Sequence, residues 1–466
     1  MASSLQKQRG AVLPLIVIGM LVLIMAAGLA FSAGLSYMIK AKLNAATDAA
    51  ALAGARATSL GGDQATQIAN ARAAATRFFN ANYPAGYLGS TATLNDAQVS
   101  YNNGQVTVSV SVSATMPAAL LGTMLSGPLT PGVTTQTTRK DLDMVLALDT
   151  SGSLSGNAAN VRSSAITFLK QFNSTQDRVG LLHFAYGSEV DDPIRTALGL
   201  PGRGFDRTSM EAHIRALRFE GSTASAEGMW RARQQLNSVP STNLNRSNLR
   251  VIIFFSDGAP NSFAAYLNWK NPSDCSVAGT ISTDDDGAGD PGGLYDPNDN
   301  NTALAGKCNP YNMGYDSTLK RNALLSDRVN SLPDWYNGHN LASNPNDPNA
   351  REFPIVTNLQ RVVTNAVTYK NVNRAARNLV EAMAAKSQDE DIYVFTLGLG
   401  SQLKVASGVD GEKGEDTLKC MANSIDAPSR CSRPNKPVGV YCYAATQSDL
   451  TPCFSKLASA ILKITK

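Results

Sequence analysis

Residues 141–156 read DLDMVLALDTSGSLSG: an apolar run closes on the carboxylate of Asp149 and opens into a loop of Thr, Ser and Gly. Helix-forming text, NAANVRSSAITFLKQF at 157–172, follows at once. The pattern of apolar run, polar loop and helix recurs in DRVGLLHFA at 177–185, NLRVIIFFSDG at 248–258 and EDIYVFTLGLG at 390–400. Short apolar strands alternating with helices predict an α/β fold with a doubly wound, mostly parallel sheet. In such sheets ligands collect outside the carboxyl ends of the strands, where these polar loops lie.

Three of the loops carry oxygen donors: Asp149, Ser151 and Ser153 in the first, Thr223 in GSTASAEG, and Asp257 in FFSDGAP. Two carboxylates, three hydroxyls and water suit a hard, six-coordinate cation such as Mg²⁺ or Mn²⁺, and so few charged ligands leave it electrophilic. This set resembles the metal-ion-dependent adhesion site of von Willebrand factor type A domains, with Asp149-Thr150-Ser151-Gly152-Ser153 as DxSxS, Thr223 as the later threonine and Asp257-Gly258 as the DG turn. The resemblance implies a Rossmann-like domain over 141–466. In it the serines and threonine bind the ion directly, the aspartates act largely through water, and a protein partner completes the shell with a carboxylate. The tail from Tyr441 resembles the final edge strand and C-terminal helix of such a domain.

Working towards the N-terminus, residues 10–39 contain no charge. As a helix they span about 45 Å, more than the roughly 30 Å hydrocarbon core of a bilayer. A retained transmembrane helix with a cytoplasmic tail over 1–9 is expected, the remainder being exported. Ala30-Phe31-Ser32-Ala33 carries the competing reading of a cleaved signal. Residues 40–140 predict a small α+β module: alanine-rich helical text, a break at Gly61-Gly62, an amphipathic helix ending near Tyr83-Pro84, and a hairpin turning at Asn103-Gly104. After Pro117, Pro128 and Pro131, VTTQTTRK is read as an extended lead into the next domain.

RGAVLPLIVIGMLVLIMAAGLA together with ATDAAALAGARA resembles the N-terminal region of TadG-like proteins of the tight-adherence (Flp-type) pilus system. That implies a bacterial inner-membrane protein with a pilin-like first helix and its C-terminal domain in the periplasm, or reaching the cell surface, with pilus assembly components as partners. The sequence departs from type IV-type prepilins: Gly10 is followed by Ala-Val-Leu-Pro-Leu, and no Glu precedes Glu189.

All six cysteines lie between Cys275 and Cys453, outside CxxC pairs and zinc-finger spacing. Disulfides in an oxidising compartment are the favoured reading, free buried thiols the alternative. Six cysteines allow 15 connectivities; Cys275 with Cys308 is the one pair suggested. Residues 261–369 are too long for a loop and rich in Asn, Asp, Gly and Pro, which predicts an insertion beside the metal face. Within it DDDGAGDPGG from Asp284 lacks the calcium-loop spacing, and Trp269 and Trp335 are expected to build a small local core.

With 43% hydrophobic and 17% charged residues among 466, the chain is globular and long enough for two to four domains. Residues 1–140 hold 9 Lys and Arg against 3 Asp and Glu, leaving 32 against 34 for the rest, so nothing draws the larger part to nucleic acid. His183, His213 and His339 form no HExxH, and no nucleophile elbow or phosphate loop occurs. The expectation is a non-enzymatic binding protein of the pilus system; the alternative is an envelope scaffold whose ion serves stability alone.

Overall fold

The computed structural model describes residues 12–464 except 59–63, 103–104, 117–129, 141, 176, 197–202, 241–246, 248, 284–289, 310–314 and 340–350. The tail over 1–9, the Gly61-Gly62 break, the Asn103-Gly104 turn and most of the DDDGAGDPGG loop therefore lie outside the described residues. Contacts divide the chain into Met1–Arg139 and Lys140–Lys466.

In the first unit, α1 (Val12–Ala57) is one unbroken helix of 46 residues, about 69 Å long. Its first half is apolar and exposed (Leu15 70%, Leu23 70%, Phe31 65%), while Ile39, Leu43, Ala46 and Ala50 are fully buried. The helix is long and apolar enough to cross a membrane. Its second half packs on α2 (Gln64–Asn82) and on β3 (Gln105–Thr115). At Gly54 a side chain would meet Val108 at 3.1 Å and the Ala71 carbonyl at 3.2 Å, so glycine sets the approach of helix to helix and sheet. β1 (Thr91–Leu94) and β2 (Gln98–Asn102) pair antiparallel with β3 at different stretches. β4 (Gly132–Lys140) also pairs with β3. The VTTQTTRK segment is thus a strand of this module rather than a lead between units, its threonine hydroxyls meeting those of β3 (Ser111 to Thr134, 2.9 Å).

The second unit is built on a six-stranded sheet. Its strands are β5 (Leu142–Asp149), β6 (Arg178–Phe184), β7 (Ser188–Asp192), β8 (Leu249–Ser256), and, past the insertion, two strands at Ile392–Leu399 and Tyr441–Ala444. The order runs from Tyr441–Ala444 through Ile392–Leu399, β8, β5 and β6 to β7. All neighbours are parallel except β6 and β7. Alternate residues feed two cores. Met144, Leu146, Val251, Ile253 and Phe255 pack with α3 (Ala158–Leu169), α4 (Arg207–Ala216) and the C-terminal helix Leu450–Ile464 on one face. Val145, Ala147, Ile252 and Phe254 pack with α5 (Ser225–Ser238) and the helix Tyr369–Asp389 on the other. The chain winds from β5 outward to β6 and then returns to β8 on the opposite side, so the switch point lies between β5 and β8.

Among the described residues the insertion makes no separate local core, contrary to expectation. Trp269, Leu294, Phe353 and Ile355 join the cluster of Phe254, Met229 and Leu379, because the three-stranded sheet of Ser262–Ala265, Gly279–Ser282 and Gly292–Tyr295 lies on the same helices. Trp335 remains 37% exposed. Three disulfides form, Cys275–Cys308, Cys420–Cys431 and Cys442–Cys453. The first closes within the insertion; the last ties the edge strand to the C-terminal helix.

Candidate functional site

At the switch point β5 ends in Asp149, which is fully buried. One carboxylate oxygen accepts from the Ser151 backbone N–H (2.8 Å) and the other from the Ser256 hydroxyl (2.6 Å). The loop then turns so that Ser151 Oγ stands 3.1 Å from Ser153 Oγ, and Ser153 donates to Asp257 Oδ1 at 2.9 Å. Four of the five expected residues therefore form one hydrogen-bonded chain from β5 to the end of β8. Thr223 joins from the loop before α5: a side chain at Gly258 would lie 3.5 Å from its hydroxyl, so Thr223 faces the Asp257-Gly258 turn.

The electrostatics of this cluster set it apart. Burial pushes the Asp149 carboxyl up to about 6, against the pull of hydrogen bonds from Ser256 and Ser151. Among the described residues no Lys, Arg or His contributes to that balance. Among the described residues no three His, Cys, Asp or Glu side chains gather where a metal could sit, and the cluster is instead rich in hydroxyls. A buried carboxylate ringed by Ser and Thr oxygens without a protein cation is the donor set of a hard divalent ion that keeps several waters. Asp149, Ser151, Ser153, Thr223 and Asp257 fit Mg²⁺ or Mn²⁺ on that ground.

The surrounding structure holds the loops in register. Gly152 N–H donates to the Gly221 carbonyl (3.0 Å) and Glu220 N–H to the Thr150 carbonyl (2.8 Å), joining the first and second loops. Asn261 joins the second and third: its Oδ1 accepts from Thr223 N–H at 2.9 Å, while its own N–H donates to the Thr223 carbonyl at 3.3 Å. Behind Thr223, in the first turn of α5, Glu227 is fully buried. Its carboxylate accepts from Ala264 N–H (2.8 Å), Tyr336 OH (2.8 Å) and His339 Nε2 (2.5 Å). Sequence reasoning missed these residues. Ser256 was legible in principle, as the lone hydroxyl closing an apolar strand; Asn261 and Glu227 carry no local signal, since Asn261 meets Thr223 from the loop before α5 and the partners of Glu227 come from the insertion.

Residues 143–275 match the von Willebrand factor type A domain family, and residues 10–57 match the TadE/G-like family of Flp pilus assembly. No curated protein matches the chain. Among solved structures, it is similar to the pilus adhesin SpaC from Lactobacillus rhamnosus GG at 14% identity and a TM-score of 0.37, over 81% of this chain and 35% of SpaC. The chain thus spans about a third of that adhesin. It is also similar to the vWF domain of the type V pili tip protein Mfa5 from Porphyromonas gingivalis (13% identity, TM-score 0.38, 70% of this chain and 97% of that one). A further likeness is to the PilB minor pilin from Streptococcus sanguinis (15% identity, TM-score 0.37, 82% and 80%).

Proposed function

We propose that this chain, a von Willebrand factor type A domain carried behind a TadE/G-like segment, is a membrane-anchored, exported component of a tight-adherence pilus system. It binds a protein partner through Mg²⁺ or Mn²⁺ held by Asp149, Ser151, Ser153, Thr223 and Asp257, and it acts by binding rather than by catalysis. The observation that carries this reading is Asp149, a fully buried carboxylate that meets hydroxyls and a backbone N–H but, among the described residues, no protein cation. When bound, the ion supplies a coordination position for a carboxylate of the partner. Ser151, Ser153 and Thr223 hold the ion directly, and the aspartates hold its waters.

The apolar, exposed first half of α1 supports an inner-membrane anchor, and three disulfides support a periplasmic location for the domain. The test has two parts. Unfolding of the full chain is followed in chelator and in Mg²⁺; at a free ion concentration 100 times Kd the expected gain is about 2.7 kcal/mol, absent in Asp149→Ala. Unchanged melting together with an unaltered Mn²⁺ spin-resonance signal sinks the metal reading. In cells, Asp149→Ala is compared with wild type and deletion at equal protein levels, imaging pili and counting adherent cells. Pili without adherence identify an adhesive contact; loss of pili identifies a role in assembly.

A further inference from the structure

The insertion grips the metal loops with two asparagines, one at its first residue and one near its middle. Asn261 stands shortly after Asp257 in the third loop and meets both backbone groups of Thr223 in the second: its Oδ1 accepts from the Thr223 N–H at 2.9 Å, and its N–H donates to the Thr223 carbonyl at 3.3 Å. Thr223 is 6% exposed, so these groups need a protein partner and Asn261 is the one they meet. Asn261 is held in turn, its carbonyl accepting from the N–H and the hydroxyl of Thr283 at 3.0 Å each.

Asn300 grips the first loop. Its Nδ2 donates to the hydroxyl of Thr150 at 3.1 Å, and that hydroxyl donates onward to the Phe184 carbonyl at 3.1 Å. Thr150 is fully buried between Asp149 and Ser151. Asn300, 7% exposed, is fixed through its own carbonyl, which accepts from Tyr186 N–H at 3.1 Å. Next to this contact Ser188 N–H donates to the Pro297 carbonyl at 3.1 Å, and the Tyr186 and Tyr295 rings stack at 3.4 Å. The insertion crosses so closely over the β6–β7 turn that a side chain at Gly187 would sit 2.4 Å from the carbonyl oxygens of Asp296 and Asp299.

The chemistry of the ligands makes these grips matter. Ser151, Ser153 and Thr223 offer neutral hydroxyls, each a modest attraction for a divalent ion, and Mg²⁺ tolerates little departure from octahedral geometry. Such a set binds well when its loops are already in place, because ordering them at the moment of binding subtracts from the affinity. Polar loops at strand ends are ordinarily the mobile part of a domain. Here the insertion supplies the order. Asn261 fixes the backbone of Thr223, Asn300 fixes the residue between Asp149 and Ser151, and Glu227, one helical turn beyond Thr223, accepts from Ala264, Tyr336 and His339 of the insertion.

Resting on the metal reading given under Proposed function, we propose that the insertion sets the affinity of the site for its ion, with Asn261 and Asn300 as positioning residues that hold Thr223 and Thr150. The test uses the full chain in detergent, with Mn²⁺ as the probe and free Mn²⁺ read by spin resonance. Asn261→Ala is expected to raise the Kd about 10- to 100-fold and Asn300→Ala about tenfold, the range for residues that orient metal ligands. Leu325→Ala removes a buried insertion side chain and neither grip; it is expected to lower stability to urea in chelator while keeping the wild-type Kd. Hydrogen exchange in chelator gives a readout free of the ion: the Thr223 amide should exchange about tenfold faster in Asn261→Ala and regain its protection in Asn261→Asp, which restores the acceptor. A wild-type Kd in Asn261→Ala, unchanged exchange of its Thr223 amide, or an equal rise of Kd in Leu325→Ala overturns the proposal while the metal reading stands. A wild-type chain that binds no Mn²⁺ overturns both.

Discussion

β5 carries a buried aspartate near each end, and the two are handled in opposite ways. Asp143, 1% exposed, meets Arg203 at 3.0 Å and Arg178 at 3.5 Å and also accepts from Ser247 N–H. Asp149, six residues on and fully buried, meets Ser256, Ser151 and, among the described residues, no protein cation. Burying a carboxylate is costly unless a counter-charge offsets it. At the amino end of the sheet the chain supplies that counter-charge itself. At the carboxyl end it supplies oxygen donors and, among the described residues, no counter-charge. One strand thus separates a charge-compensated end from the end proposed above to hold an ion.

The largest expected effect breaks the structural end. Asp143→Ala removes a carboxylate that Arg178 and Arg203, nearly wholly buried, both face and should destabilise by about 3–5 kcal/mol. Asp149→Ala in chelator removes a carboxyl that is already strained by burial, and should cost far less. Urea unfolding of both variants decides the matter; equal losses would mean that Asp149 is as structural as Asp143, and the contrast between the ends would fall.

Next comes Ser256→Ala, which removes the hydroxyl that donates to Asp149 at 2.6 Å. A hydrogen bond to a buried charged group is worth about 1.5–3 kcal/mol. The loss should shrink when Mg²⁺ is present, because the ion then stabilises the same carboxylate. A loss unaffected by Mg²⁺ would show that Ser256 and the ion do not share Asp149.

How far these ends could be read beforehand follows from the range of the interactions. Strands β5, β6 and β8 announce themselves because both faces are buried and each stretch is almost wholly apolar. The loops that meet at the switch point are legible because Asp149, Ser151 and Ser153 lie within five residues, and Asp257 follows the most hydrophobic run. β7 was not legible: SEVDD is half-exposed at an antiparallel edge and reads as loop, yet it places Asp191 and Asp192 against the two histidines. The arginines facing Asp143 were equally hidden. Arg178 opens a strand and Arg203 lies shortly before α4, and only the folded sheet brings them to one carboxylate. The insertion was recognisable by length and composition, but not its packing, since Trp269 and Phe353 meet Phe254 and Leu379 only through tertiary contacts.

Glu227 offers a sharper version of the comparison, being a buried carboxylate at the functional end that meets three donors from Ala264, Tyr336 and His339. Glu227→Gln keeps the shape but replaces an acceptor-only group with one that also donates, so one of the donors loses its partner. A cost of about 1–3 kcal/mol is expected. It should fall on the insertion more than on the sheet, and limited proteolysis checks this: cleavage within 261–369 should speed up while the remaining sheet stays resistant. Uniform acceleration across the domain would mean that Glu227 supports the fold as a whole.

The smallest effect concerns His213, whose ring donates to Asp192 at 2.8 Å and is 45% exposed. The hydrogen bond to Asp192 raises its pKa, burial opposing and the charges of Asp192, Asp191 and Glu189 adding to the rise. A raised folded-state value means that the protonated ring binds Asp192 more tightly in the folded chain than in the unfolded one. The associated stability is fully present below the ordinary histidine value of about 6.5 and is lost as pH rises through the folded value. Exposure and solvent screening keep the contribution small. Ring-resonance titration should place the His213 midpoint above that ordinary value and return it towards it in Asp192→Asn. An unchanged midpoint in the variant would remove Asp192 as the cause, and with it the view that β7 holds both histidines by the same device of a carboxylate on Nδ1.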